Sequence, residues 1–96
     1  MVTISNIYGQ KRRGRIEVIA SILDVARDGA SKTRLVYKAN LNFNILNKYL
    51  NFLLKNGLIT KIGGNGHPIL YKTTEKGREF LIRYKQLSEM LGETLE

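Results

Sequence analysis

Residues 42–57, NFNILNKYLNFLLKNG, combine a clear helical repeat with an unusual number of asparagines. The apolar residues recur at intervals of three and four, which is the spacing that places side chains on one side of an α-helix. This apolar side consists of Leu46, Tyr49, Leu50, Leu53 and Leu54, with Ile45 and Phe52 flanking it. The pattern predicts a helix over residues 42–56, ended by Gly57.

The opposite side of this helix carries asparagine and lysine and no acidic residue. It comprises Asn44, Asn47, Lys48, Asn51 and Lys55, with Asn42 at the helix start. A side chosen for solubility alone mixes charges and favours good helix formers, whereas each Asn costs roughly 0.5 kcal/mol relative to Ala. An AT-rich genome would also enrich Asn, Lys and Ile along the chain, but it does not explain the missing acids. We therefore interpret this side as a surface that faces nucleic acid.

The flanking sequence predicts a winged helix. The predicted elements are helices 15–28, 32–39 and 42–56, strands 58–62 and 69–72, and a helix from residue 74 to the C-terminus. Ser31 is the expected cap of the second helix, and Thr73 or Thr74 that of the last. Asn40 lies in a tight turn and tolerates a left-handed backbone. The fold class is mainly α with a small β-hairpin, in which a winged helix-turn-helix precedes a C-terminal dimerisation helix.

The domain organisation predicted from these elements has three parts. Residues 1–13 form a basic N-terminal arm, 14–73 the winged helix-turn-helix domain, and 74–96 the C-terminal helix. Alternatively, VTISNIY near the N-terminus is a short ordered segment packed on the domain.

A high net positive charge is the most pronounced feature of the composition. Residues 1–85 contain all 16 Lys and Arg but five of the eight Asp and Glu, a net charge of +11. Such a field attracts polyanions, of which DNA and RNA are the usual ones. There is no Cys, no apolar run long enough to cross a membrane and no signal peptide, so we expect a cytoplasmic, nucleoid-associated protein.

No motif for catalysis or for a cofactor is present, and the protein is predicted not to be an enzyme. The single histidine, His67, has no Cys or second His to join it in a metal site.

Further basic and polar residues are candidates for contact with the DNA backbone or the minor groove. They are Arg12, Arg13 and Arg15 in the arm, Lys32, Thr33, Arg34 and Lys38 in the short helix, and Lys61, His67 and Lys72 in the wing. Ordinary solvated charge is the alternative for the short helix, and a mobile loop for the wing tip GGNGHP.

The last helix has an apolar seam with spacings of four, three and four. The seam consists of Phe80, Tyr84, Leu87 and Leu91, with Leu95 close to the next position. An exposed seam of this kind favours a homodimer. The alternative is that the helix folds back onto its own core.

Two sequence blocks carry a family resemblance. SKTR, followed by YKAN, and YLNFLLKNGLI resemble the helix-turn-helix of the archaeal ten-kilodalton winged-helix DNA-binding family, the Sulfolobus ten-a chromatin-protein type. YKTTEKGREFL resembles the junction between wing and last helix that is common in winged helices. The resemblance covers roughly residues 14–85, and it implies that 42–56 is the recognition helix, the hairpin is the wing, and the C-terminal helices pair as an antiparallel coiled coil. The shorter last helix and the N-terminal extension depart from the family pattern.

These observations predict a homodimeric protein that binds double-stranded DNA as a transcriptional regulator or a nucleoid-associated protein. The recognition helix would enter the major groove, where an Asn side chain matches the N6 and N7 atoms of adenine. The wing 61–72 would lie on the backbone or in the minor groove. A winged-helix module that binds protein in a transcription or RNA-processing complex is the alternative, and RNA binding is a third possibility.

Overall fold

Four helices and one antiparallel hairpin make up residues 14–92, the part of the chain that the computed structural model describes. In chain order they are α1 (Arg15–Val25), α2 (Lys32–Lys38), α3 (Phe43–Lys55), β1 (Ile59–Gly64), β2 (His67–Thr73) and α4 (Glu75–Met90). This order confirms the predicted fold class, a winged helix-turn-helix followed by a C-terminal helix. Among the described helices, none combines the length and the apolar character needed to cross a membrane.

The core lies between α1, α2 and α3 and is closed by the hairpin and the start of α4. Its fully buried large side chains are Ile22, Leu23, Leu35, Leu46, Leu50, Leu53 and Ile59. The connection between α1 and α2 is held to β2 because Ala30 and Tyr71 exchange two backbone hydrogen bonds of 2.9 and 2.8 Å. This packing fixes α3 with one side buried and the other side turned outward.

The turn between α2 and α3 has the geometry predicted for it. Asn40 adopts a left-handed backbone with φ of 58°. The N–H of Leu41 donates to the carbonyl of Val36 at 2.9 Å, and the half-buried Leu41 side chain packs against the core. Ser31 caps α2 as expected, since its Oγ accepts from the N–H of Arg34 at 3.2 Å.

α2 and α3 end one residue earlier than the sequence indicated, and α1 and α4 end several residues earlier. α1 stops at Val25 rather than at residue 28, because one carbonyl of its last turn and that of the C-cap Ala26 accept hydrogen bonds from the end of the wing. The hydroxyl of Thr73 donates to Leu23 O at 2.7 Å, and the N–H of Thr73 donates to Ala26 O at 2.9 Å. α4 stops at Met90, and residues 93–96 lie outside the described part of the chain.

The two strands are longer than predicted, and the loop between them is shorter. Gly64 pairs with His67, so Asn65 and Gly66 alone form the hairpin tip. Both have positive φ, 53° and 91°, which is the requirement of a tight two-residue hairpin turn. The GGNGHP segment therefore belongs largely to the strands, with an irregularity in register between Ile62 and Gly64.

Two adjacent glycines in β1, at the irregularity in register, allow the effect of a steric clash to be separated from the effect of backbone strain. Gly63 and Gly64 have nearly equal φ values, +94° and +95°, but a Cβ atom on Gly63 would collide with the carbonyl oxygen of Pro68. A Cβ atom on Gly64 would meet nothing within 4 Å. The two positions therefore share the backbone strain and differ in the steric clash.

We expect Gly63→Ala to destabilise the protein clearly more than Gly64→Ala does. The positive φ costs each variant about 1–2 kcal/mol, and overpacking adds about 1–3 kcal/mol for Gly63→Ala alone. Thermal unfolding and amide hydrogen exchange in the hairpin measure the difference. Equal effects of the two substitutions would contradict the clash with Pro68.

Candidate nucleic-acid interface

The α3 surface predicted to face nucleic acid is solvent-exposed along its whole length. Three fully or almost fully buried leucines hold the opposite side of the helix in the core, at Leu46, Leu50 and Leu53. The exposed residues of the α3 stripe are Asn44, Asn47, Lys48, Asn51 and Lys55. The stripe combines amide donors and acceptors with two positive charges, and α3 contains no carboxylate. It is chemically suited to base edges and phosphates.

Asn42 has a structural role that the functional interpretation did not anticipate. It is the N-cap of α3, and its Oδ1 accepts a hydrogen bond of 2.8 Å from the N–H of Ile45. The acceptor half of the amide therefore stabilises the helix start, and the Nδ2 donor is the part left for a ligand. The signal was present in the sequence, because an Asn directly before an apolar repeat is typical of a cap.

Arg15 is brought next to the α3 stripe by the packing of α1. It lines one groove together with Lys48, and the remaining lining residues are Ile16, Ile19, Tyr49 and Phe52. The basic surface thus continues from α3 to the first residue of α1. Arg12 and Arg13, the other cationic residues predicted in the arm, lie outside the described residues.

The α2 residues predicted to contact DNA lie in surroundings that favour a phosphate less than the α3 stripe does. Arg34 and Lys38 are exposed, but they line a hollow that also contains Asp24, Arg27 and Asp28, which lie in and just after the last turn of α1. Asp24 is already paired with Arg27, whose Nε donates to Asp24 Oδ1 at 2.8 Å, so Asp28 is the carboxylate left to offset Arg34 and Lys38 locally. Thr33 is exposed and Lys32 is half-buried, both in the first turn of α2.

The two lysines of the wing lie on opposite faces of the hairpin. Lys61 is paired with Tyr71, and Lys72 with Thr60, in consecutive positions of the ladder. Because neighbouring residues along a strand point to opposite faces, Lys61 and Lys72 do not share one surface. Lys61 and His67 are exposed, whereas Lys72 is half-buried.

Exposed aromatic side chains near the helix-turn-helix were not singled out by the helical repeat. Tyr37 on α2 is 78 % exposed, and Phe43 at the first position of α3 is 49 % exposed. Phe52, expected beside the apolar side of α3, is 50 % exposed. The helical repeat could not reveal that these aromatic side chains are exposed, because apolar residues in such a repeat are assigned to the core.

The five residues predicted for dimerisation fall into three groups. Phe80 and Tyr84 are half-buried and pack against the protein's own core. Leu87 and Leu91 are 61 % and 85 % exposed near the end of α4. Leu95 lies outside the described residues. The first half of the seam therefore serves the domain, and the second half is open to solvent.

Comparison with known proteins supports the same fold. A sequence profile described as winged helix-turn-helix matches residues 12–92. The uncharacterized protein MJ0287 of Methanocaldococcus jannaschii is 33 % identical over 82 residues, which are 84 % of this chain and 79 % of that protein.

Solved structures give further matches. Sso10a-2, described as a DNA-binding protein from Sulfolobus solfataricus, superposes with a TM-score of 0.73 at 28 % identity, over 81 % of each chain. The MarR family transcriptional regulator SPO1453 from Silicibacter pomeroyi matches with a TM-score of 0.56 at 20 % identity, over 78 % of this chain and 54 % of its own. ZitR of Lactococcus lactis, solved in complex with DNA, matches with a TM-score of 0.55 at 15 % identity, over 84 % and 64 % respectively. The last two likenesses concern the fold alone.

Proposed function

Because this chain belongs to the winged helix-turn-helix family, we propose that it binds double-stranded DNA as a transcriptional regulator or a nucleoid-associated protein. The observation that carries the proposal is the α3 stripe, which is exposed, amide-rich and basic, on a helix without a carboxylate. The similarity to Sso10a-2, which is described as DNA-binding, supports it. The winged helix-turn-helix is a non-enzymatic fold class, in agreement with the predicted binding role.

In the proposed complex α3 lies in the major groove with its N-terminal half nearest the bases. Asn44 and Asn47 then face base edges, and Lys48 reaches a guanine or a phosphate. Lys55, two turns further on, contacts the backbone. Arg15 extends the contact surface from the same groove as Lys48. The hairpin tip reaches the backbone or the minor groove, with Lys61 and His67 as its exposed candidates and Lys72 set back.

Mobility shifts on duplex DNA at increasing salt test the proposal. We expect the logarithm of the affinity to fall linearly with the logarithm of the salt concentration, by about 0.9 per phosphate neutralised. Absence of binding at about 50 mM salt would refute DNA binding, since electrostatic contacts are strong there. Equal or tighter binding to duplex RNA in competition would favour the RNA-binding alternative. A partner protein that co-purifies through nuclease treatment, together with no affinity for DNA, would favour an interaction module.

Selection from random duplex DNA separates the two proposed roles. An enriched inverted repeat would indicate a regulator that binds an operator, because operator symmetry mirrors the two-fold symmetry of a dimer. A selection in which no sequence is enriched would indicate a protein that coats DNA with little sequence preference.

We further propose that the chain forms a homodimer through the C-terminal part of α4. Leu87 and Leu91 are one helical turn apart on one side, and both are largely exposed in the single chain. Adjacent exposed leucines are stabilised by burial against a partner, and a two-fold arrangement would present two α3 stripes to one duplex.

The double substitution Leu87→Glu/Leu91→Glu is expected to give a monomer at micromolar concentration, because it places two carboxylates in the paired surface. Solution mass by light scattering or sedimentation measures the result. The matched control is Ile82→Glu/Gln86→Glu, which adds the same charge on another side of α4 and is expected to stay dimeric. A wild-type monomer, or loss of the dimer in both variants alike, would contradict the proposed seam.

A further inference from the structure

Phe43 is a large apolar side chain at the leading end of the surface that otherwise presents amides and amines. It is the first residue of α3, directly after the cap Asn42, and 49 % of it is exposed. The cap hydrogen bond of the helix is made by Asn42, whose Oδ1 accepts from the N–H of Ile45, and the Phe43 side chain takes no part in it. Leu46, one turn further along, is completely buried, so Phe43 stands at the border between the core and the α3 stripe.

An exposed phenyl ring at this position has one apolar partner in the major groove, the 5-methyl group of a pyrimidine. Phe43 and Asn47 are four residues apart and are therefore neighbours on the helix surface. The Asn47 amide suits the N6 and N7 atoms of adenine, and the thymine methyl group lies at the same groove edge of an A·T pair. A ring beside an amide is thus matched to A·T steps rather than to G·C steps.

From this arrangement we propose that Phe43 is a specificity-determining residue that packs on thymine methyl groups and gives the protein a preference for A·T steps. The inference rests on the proposed DNA binding through α3. The methyl group of 5-methylcytosine offers the same apolar contact, but its guanine partner does not suit Asn47.

The experiment compares the affinity of the protein for two A·T-rich duplexes of identical sequence, one with thymine and one with deoxyuridine at every thymine position. Uracil keeps the base pairing and loses only the methyl group. We expect the wild-type protein to bind the deoxyuridine duplex about fourfold more weakly for each methyl group contacted, from the free energy of burying one such group. Phe43→Ala is expected to bind the two duplexes equally, and Phe43→Leu to keep part of the difference.

Phe52→Ala is the matched control. It removes an aromatic ring of the same helix with nearly the same exposure, 50 %, from the groove that Phe52 shares with Arg15 and Lys48, so the comparison concerns the ratio between the two duplexes and not the overall affinity. We expect this variant to keep the wild-type ratio between the two duplexes. Unchanged far-ultraviolet circular dichroism shows that each variant is folded.

Four results would overturn the inference. The first is equal wild-type affinity for the thymine and deoxyuridine duplexes at measurable binding, which leaves the proposed function intact. The second is a thymine preference that Phe43→Ala retains, since the preference would then come from the shape of the DNA. The third is the absence of binding to either duplex, which removes the proposed function as well. The fourth is an increase in affinity on replacing cytosine by 5-methylcytosine in a G·C-rich duplex that equals the increase on replacing deoxyuridine by thymine, because it would exclude the A·T preference.

Discussion

The double substitution Asn47→Glu/Lys48→Glu is expected to abolish DNA binding and leave the domain folded. Both side chains are exposed in the first half of the α3 stripe. The change lowers the local charge by three units and places two carboxylates against the phosphates and base edges. We expect the affinity to fall on the order of a hundredfold or more, because each lost contact of this kind costs about 1–3 kcal/mol and repulsion is added. Glu is a better helix former than Asn, so thermal stability is expected to be unchanged or slightly higher.

The control variant Lys85→Glu/Gln86→Glu makes the same charge change on α4, outside the stripe. Both of its positions are exposed. Near 0.1 M salt the Debye length is about 10 Å, so this variant is expected to weaken binding by only a few fold. Titrations of labelled duplex DNA by fluorescence anisotropy measure both proteins under one condition. Equal losses would show that binding follows total charge rather than α3, and wild-type affinity of Asn47→Glu/Lys48→Glu would exclude α3 as the interface.

Much of the architecture follows from local signals in the chain. The period of 42–56 predicted which side of α3 is buried, and Leu46, Leu50 and Leu53 lie there. The cap Ser31 and the turn residue Asn40 were also predicted from the sequence, because each determines the backbone only within a few residues of its own position. Such features depend on backbone geometry over one turn, which the sequence encodes directly.

The features that the sequence did not reveal depend on contacts between distant residues. The end of α1 is set by Thr73, whose hydroxyl reaches Leu23 O fifty positions away. The placement of Lys61 and Lys72 on opposite wing faces depends on the strand register, which needs the paired strand. The hollow shared by Arg34 and Asp28 exists because α1 and α2 pack together. Local patterns therefore predict which helix carries the candidate interface, and packing decides which cationic residues accompany it.

Gly77 is another position that only the packing explains. It is buried in the first turn of α4, where a Cβ atom would collide with the carbonyl oxygen of Leu58 and lie 2.6 Å from Thr73 Cγ2. That carbonyl is held in place because it accepts a hydrogen bond of 3.1 Å from the N–H of Thr74. The hydroxyl of Thr74 in turn donates to Gly57 O at 2.6 Å, which fixes the start of α4 to the end of α3.

We expect Gly77→Ala to destabilise the whole domain, although alanine is the better helix former. Helix propensity favours the substitution by about 1 kcal/mol, and overpacking against a fixed backbone costs about 3 kcal/mol. The net loss of about 2 kcal/mol corresponds to a fall in melting temperature of about 10 °C for a domain of this size. The control is Arg78→Ala, at the next and exposed position, which is expected to shift the melting temperature by no more than a few degrees. A melting temperature of Gly77→Ala at or above that of the wild type would contradict this prediction. It would mean that α4 can move away from the Leu58 carbonyl without loss of stability, although the hydrogen bonds of Thr74 connect the two.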